Sequence, residues 1–155
     1  MKGNEKIIER LNDLLSDELT AVNQYMVHSE MCDNWKYEKL AKIAEARAID
    51  EMKHAEKLIG RILFLDAIPI VSNYKKIHIG AEIKVQFEND LEAEVGAVDG
   101  YNKAIKVSVE EGDNGTRSLL ESILKDEEDH VDMLEAQITQ VEMMGIKSFL
   151  AEQTD

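Results

Sequence analysis

Apolar residues recur at three- and four-residue intervals in four long runs of the chain, and each run predicts a helix. The first covers residues 5–34, with Leu11, Leu14, Leu15, Val22 and Tyr25 on one stripe. The second covers 36–64 through Leu40, Ile43, Ala44, Ala55, Leu58 and Ile62. A third, 82–111, carries Phe87, Leu91, Val98 and Ile105; a fourth, 116–144, carries Leu120, Ile123, Leu134, Ile138 and Val141. Gly145 ends the fourth, and IKSFLAEQ beyond it predicts a short further helix. Between the second and third runs, DAIPIVSNYKKIHIG (66–80) holds the only proline, ends in glycine and breaks the period.

Connection lengths predict the topology. The breaks near Asn34 and at EGDNG (111–115) are short, so each joins an antiparallel pair. A helix of nearly 30 residues is about 40–45 Å long, and some 15 extended residues reach about 50 Å. The middle linker therefore spans the bundle and leaves helices two and three parallel. The expected fold is all-α: a four-helix bundle with one long crossover between helices two and three and a short C-terminal fifth helix. Residues 1–155 suffice for a single domain with one sizeable core.

Composition narrows the function classes. Aromatics are 5% of residues and apolar residues 44%, which suits helices packed by aliphatic side chains. A net charge of −14 argues against binding nucleic acid through its phosphates and suits a partner that is a cation, although acidity alone serves solubility. Cys32 is the only cysteine, so no disulfide framework and no CxxC metal site exists. Charges are scattered through the apolar positions of MKGNEKIIERLNDLL, unlike a secretory signal, and no run approaches the length of a membrane span. A soluble, cytoplasmic protein is expected.

The chemistry lies in a repeat. IDEMKHAEKL (49–58) places Glu51 and His54 one turn apart on one helical face, and KDEEDHVDML (125–134) repeats the pair as Glu127 and His130. Both spacings are 76 residues, and the same offset relates Glu18 to Glu94, where ELTAVNQY aligns with EVGAVDGY. The halves read as two copies of one hairpin about a pseudo-twofold axis. Glu18, Glu51, Glu94 and Glu127 each sit at heptad distance from core residues, so one carboxylate per helix is expected inside. Four buried carboxylates repel one another and need neutralising. Two divalent cations supply four positive charges, and mixed carboxylate and imidazole ligands suit iron or manganese. One Glu from each of two helices plus Glu-x-x-His from each of the others is the di-iron carboxylate pattern. Tyr25, two turns from Glu18, is either a core tyrosine with a satisfied hydroxyl or a group that acts on the metals; Tyr101, its mate at the 76-residue offset, has the same options. Asp50 and Asp126 are expected to point elsewhere, as exposed helix charge, the alternative being an inward-facing Asp that helps to pass cations along.

Met52 stands where the second copy has Glu128. It belongs to an outer stripe with Ile49 and Ile59, which matches Leu19, Val22, Asn23 and Met26 on helix one. A filled bundle has no use for a second apolar face, so the stripes predict a subunit interface. Met52 is either core filler, the usual fate of a methionine, or, at a twofold, one of two facing thioethers, a ligand pair that haem iron accepts.

On these residues the chain resembles the bacterioferritins over nearly its whole length: MKG, LNDLLSDELTAVNQY, NW at 34–35, IDEMKHAE, RILFL at 61–65 and DEEDHVDMLE. The resemblance implies a ferritin-like fold with a di-iron ferroxidase centre on Glu18, Glu51, His54, Glu94, Glu127 and His130. It implies a haem b shared between two subunits through Met52. It further implies a hollow 24-subunit homo-oligomeric shell, built from haem-binding dimers, that oxidises Fe(II) with O2 or H2O2 and stores ferric mineral. A ferredoxin is the implied partner for iron release. The likeness lapses at Ala46 and Arg47, where many members carry His-Glu. Arg47, four residues before Glu51, is placed to pair with it when the site is empty, and the change argues against an auxiliary inner iron site. Other di-metal enzymes compete less well. A rubrerythrin-like peroxidase needs a CxxC relay, a small oxygenase needs an apolar pocket, and a haem-only shell leaves six core ligands unexplained.

Overall fold

The computed structural model describes residues 1–155. It consists of α1 (Glu5–Asn34), α2 (Glu38–Phe64), α3 (Ile83–Glu110), α4 (Asn114–Met144) and α5 (Ile146–Ala151), with no strand. Helix ends have local causes. Asn4 caps α1 by accepting from the Lys6 N–H at 2.8 Å. Asp113 caps α4 by accepting from the Thr116 N–H at 2.9 Å. That cap, after Gly112 at φ 72°, starts α4 two residues earlier than its apolar period predicts. α2 starts two residues later than predicted. Lys36 turns left-handed (φ 66°), and the Tyr37 N–H closes α1 onto the Cys32 carbonyl at 2.9 Å.

Two apolar clusters fix the helix directions. One joins Ile7, Leu11, Leu14 and Leu15 of α1 to Leu58 and Ile62 of α2, Tyr101 and Ala104 of α3, and Leu120 and Ile123 of α4. The other joins Cys32, Leu40, Ala41, Ile83, Phe87, Leu134 and Val141 to Phe149 of α5. The start of α1 thus meets the ends of α2 and α3, so α2 and α3 run parallel, as the crossover length predicts. Glu18, Glu51, Glu94 and Glu127 lie on the stretches of helix between the two clusters.

The crossover is pinned rather than packed. Four side chains on one face of α1 meet its backbone N–H groups: Asn12 Oδ1 accepts from Ile70 at 2.8 Å, Thr20 Oγ1 from Lys75 at 2.8 Å, Gln24 Oε1 from His78 at 3.1 Å and His28 Nε2 from Gly80 at 2.9 Å. Each answers a donor that no helix or sheet would satisfy. At Gly80 a Cβ would sit 2.4 Å from the Gln86 nitrogen, so only glycine permits that approach to α3.

On α3 the buried face differs from the predicted stripe. Phe87 is buried, but Leu91, Val98 and Ile105 are only half-buried. The innermost positions belong to Asp90, Glu94, Tyr101, Ala104 and Ser108. Polar and small residues hold the interior of this helix, so apolar periodicity rotates its expected face.

Candidate metal centre

The four glutamates and two histidines converge. All six are buried, with the glutamates at most 1% exposed and the histidines at most 4%. They form two overlapping groups, Glu18–Glu51–His54–Glu127 and Glu51–Glu94–Glu127–His130. In each group one candidate ligand atom per residue lies within 4.8 Å of the others. Glu51 and Glu127 belong to both groups, whereas Glu18 and Glu94 each belong to one.

Both imidazoles turn Nδ1 inward. His54 Nδ1 lies 2.7 Å from Glu127 Oε1 and 3.7 Å from both Glu18 Oε2 and Glu51 Oε2. His130 Nδ1 lies 3.0 Å from Glu51 Oε1 and 3.3 Å from Glu94 Oε1. Close as these atoms are, neither Nδ1 is aligned for a hydrogen bond, and Glu18 Oε2, Glu51 Oε1, Glu94 Oε2 and both Glu127 oxygens also lack partners. Buried polar atoms are seldom left so, and a cluster aimed at shared points suits cations.

The outer nitrogens are held from behind. His54 Nε2–H donates to Asp126 Oδ2 at 3.0 Å, and His130 Nε2–H to Asp50 Oδ2 at 3.2 Å, since a carboxylate can only accept. This corrects the expectation that Asp50 and Asp126 point away: half-exposed as they are, each reaches across the α2/α4 face to the other half's histidine. The Nδ1 lone pair then becomes the ligand position once its proton leaves.

The tyrosines cross over in the same way. Tyr25 donates to Glu94 Oε1 at 2.8 Å, and Tyr101 donates to Glu18 Oε1. Burial and the Glu94 charge push the Tyr25 phenol well up; burial and Glu18 do the same to Tyr101, so both stay donors.

Without a metal, protons neutralise the cluster. Burial and the Glu51 charge hold Glu18 well above the usual carboxylate range, and burial with Glu18 pushes Glu127 up to about 9. Burial opposes charge on His130, yet contact with Glu51 and Glu94 pushes it up to about 11. His54 is raised further, its burial outweighed by Glu127, Glu18 and Glu51. Glu94 goes the other way, below its usual range, because His130, Glu127 and Tyr25 overcome its burial.

Arg47 corrects a second expectation. It does not pair with Glu51. Only 2% exposed, it donates through Nη2 to Asp90 Oδ2 at 2.8 Å and lies 4.4 Å over the Tyr25 ring. Asp90 also accepts from Gln24 Nε2 and His28 Nδ1, both at 2.8 Å. Because His28 Nε2 accepts from Gly80, its Nδ1 carries the proton given to Asp90. This network escaped the sequence reading. Its signal was two opposite charges, Arg47 and Asp90, each four residues before a ligand glutamate and hence one turn away on the inner face.

A cleft of about 390 Å³ opens between α1 and α3 beneath the crossover and reaches Glu18, Glu51, Glu94 and Glu127. On the outer face, Met26 (50%), Ile49 (40%) and Met52 (45%) are exposed. Leu19 and Ile59, assigned to the same stripes, instead lean on the first apolar cluster.

The ferritin-like domain family matches residues 8–144. The bacterioferritin of Mycolicibacterium paratuberculosis is 40% identical over 152 residues, spanning 98% of this chain and 96% of that one. The bacterioferritin of Brucella melitensis is 40% identical over 145 residues, spanning 94% and 90%. A solved Rhodobacter capsulatus bacterioferritin, described with a metal-free dinuclear site and a haem iron in a crystallographic special position, superposes with a TM-score of 0.98. That structure is 39% identical and is matched over 100% of this chain and 97% of its own. With the same bundle, near-complete coverage and this identity, the chain belongs to the bacterioferritin family.

Proposed function

We propose that the chain, as one ferritin-like domain, is a ferroxidase that oxidises Fe(II) and stores the ferric product inside a protein shell. The observation that carries this reading is the pair of overlapping ligand groups with unpartnered buried oxygens. Two Fe2+ bind as substrate, one against Glu18 and His54, the other against Glu94 and His130. Glu51 and Glu127 reach both. Four carboxylates balance the two dications, and the protons held by the histidines and by Glu18 and Glu127 leave as the metals enter. Each iron gives up one electron. The pair reduces O2 to hydrogen peroxide, or H2O2 to water. Tyr25 and Tyr101 are positioning residues here, orienting the two unshared carboxylates, while Asp50 and Asp126 hold the imidazoles.

Ferric iron then passes to the cavity of a 24-subunit homo-oligomeric shell in the cytoplasm, built from twofold dimers. Met52 fits a haem b at that twofold: its thioether is exposed on an apolar stripe that nothing in its own chain covers. Bound there, haem supplies an electron-transfer group for reductive iron release, with a ferredoxin as donor. Met52→Leu is expected to yield an assembled protein lacking the Soret band; a full Soret band in that variant contradicts the assignment.

The ferroxidase reading is tested by stopped-flow oxidation of Fe2+ in air on metal-free protein. A fast phase saturating near two irons per chain, and lost in Glu18→Ala, is expected. Intact protein with no fast phase contradicts it.

A further inference from the structure

Arg47 is a buried cation beside the centre that pairs with none of the six candidate ligands, and its counterpart in the other half is the apolar Ile123. Its Cζ lies 4.4 Å from the centroid of the Tyr25 ring, and its Nη2 donates to Asp90 Oδ2. Nε and Nη1 have no hydrogen-bond partner. The Tyr25 hydroxyl, equally buried, donates to Glu94 Oε1 at 2.8 Å; the other oxygen near it is the Asp90 carbonyl, at 3.5 Å. A backbone carbonyl does not take up a proton, and the Asp90 carboxylate already accepts from Arg47, Gln24 and His28. Tyr101 lacks this arrangement, since the two cation–ring contacts of the chain are Arg47 on Tyr25 and Arg61 on Phe64.

We propose that Arg47 keeps Tyr25 from giving an electron to the oxidant, so that both electrons of each turnover come from iron. The inference rests on the reading of the centre as a ferroxidase and adds to it a positioning residue that acts through Tyr25. With two Fe2+ in place the reaction balances without the protein. Each gives one electron to H2O2, the O–O bond breaks, and two Fe3+ and two hydroxide ions result. With a single Fe2+ the second electron must come from elsewhere, and Tyr25 is hydrogen-bonded to a ligand. Were it to donate, its O–H bond would break along with the O–O bond. Fe2+, H2O2 and the phenol would then give Fe3+, hydroxide, water and a phenoxyl radical. Two features oppose that outcome. An electron-poor ring loses its attraction for the guanidinium, and that attraction is greatest where water is absent, as it is here. The departing proton has Glu94 alone to receive it, and a carboxylate beside positive charge favours its ionised form.

The test loads assembled, full-length, metal-free protein with one Fe2+ per chain in the absence of oxygen, adds H2O2, and freezes the mixture for electron paramagnetic resonance. Arg47→Met is expected to give about tenfold or more phenoxyl radical than the wild type, the scale set by losing a desolvated cation–π contact. Adding Tyr25→Phe to that variant should abolish the extra signal. Arg47→Lys, which restores a charge, should bring the signal back towards the wild type. If Arg47→Met fails to assemble, its combination with Asp90→Asn, which leaves neither buried charge alone, is measured instead. A Tyr25 radical as strong in the wild type as in the variant overturns the proposal. So does equal radical in Arg47→Lys and Arg47→Met, which means that packing and not charge is responsible. Iron oxidised at the centre with no radical in either protein removes the inference alone. A wild type that oxidises Fe2+ no faster than Glu18→Ala removes the ferroxidase reading and this inference with it.

Discussion

At the scale of single residues, the centre is built from reciprocal contacts between the two halves of the chain. Tyr25 serves Glu94 and Tyr101 serves Glu18; Asp126 serves His54 and Asp50 serves His130. Each of these four supporting contacts crosses from one half to the other, so the bundle must close before Glu18, Glu94, His54 and His130 are held from behind. The supporting groups should therefore affect metal binding without being ligands. Asp126→Ala is expected to lower affinity for Zn2+ by about 10–100-fold, as loss of a histidine's supporting carboxylate generally does. A competition titration against a chromophoric chelator measures it. Unchanged affinity means that packing alone orients His54.

At the scale of elements, the Asp90 network ties α1, α2, α3 and the crossover at one end of the centre. Asp90→Ala strands a buried guanidinium along with the donors of Gln24 and His28. A destabilisation of about 3–5 kcal/mol is expected, the usual result of breaking a buried pair from one side. Arg47→Met should cost less, since Asp90 keeps two donors. Thermal midpoints of the metal-free variants check the order, and a milder Asp90→Ala contradicts it. The helices themselves were legible because apolar stripes on α1, α2 and α4 face the core, and the convergence of the six candidate ligands was legible because the 76-residue repeat duplicates them. What the sequence concealed was whatever breaks the repeat. Gln24, His28, Arg47 and Asp90 have Gly100, Ala104, Ile123 and Leu14 as counterparts in the other half. Three of these, Leu14, Ala104 and Ile123, belong to the first apolar cluster. One pole of the pseudo-twofold is thus hydrogen-bonded and the other is oily, a difference that periodicity cannot express. The supporting role of Asp50 and Asp126 was hidden for another reason: half-exposed aspartates on a helix look like solvated charge until the facing helix is in place.

At the scale of the whole molecule, the metal-free bundle is held at neutral pH by protons on its own ligands. His130 has a folded value of about 11 against 6.5 for the free side chain, so its contribution is complete below pH 6.5 and lost as the pH rises through about 11. Glu127, raised from 4.5 to about 9, contributes fully below 4.5 and loses its contribution as the pH rises through about 9. Both shifts have the same sign, because the folded state binds more protons than the unfolded one, and stability then falls with rising pH. The thermal midpoint of metal-free protein should fall between pH 6 and 9. With Zn2+ bound the decline should flatten or reverse, since the metal replaces those protons. A flat profile without metal contradicts the proton inventory. No helix is long and apolar enough to cross a membrane. The exposed stripe of Met26, Ile49 and Met52 fits the subunit interface proposed above. The most direct test of the two-metal centre is anomalous diffraction from crystals soaked anaerobically in Fe2+. Two iron peaks per chain are expected, one beside Glu18 and His54 and one beside Glu94 and His130, with Glu51 and Glu127 between them. A single peak, or iron bound only elsewhere, would contradict it.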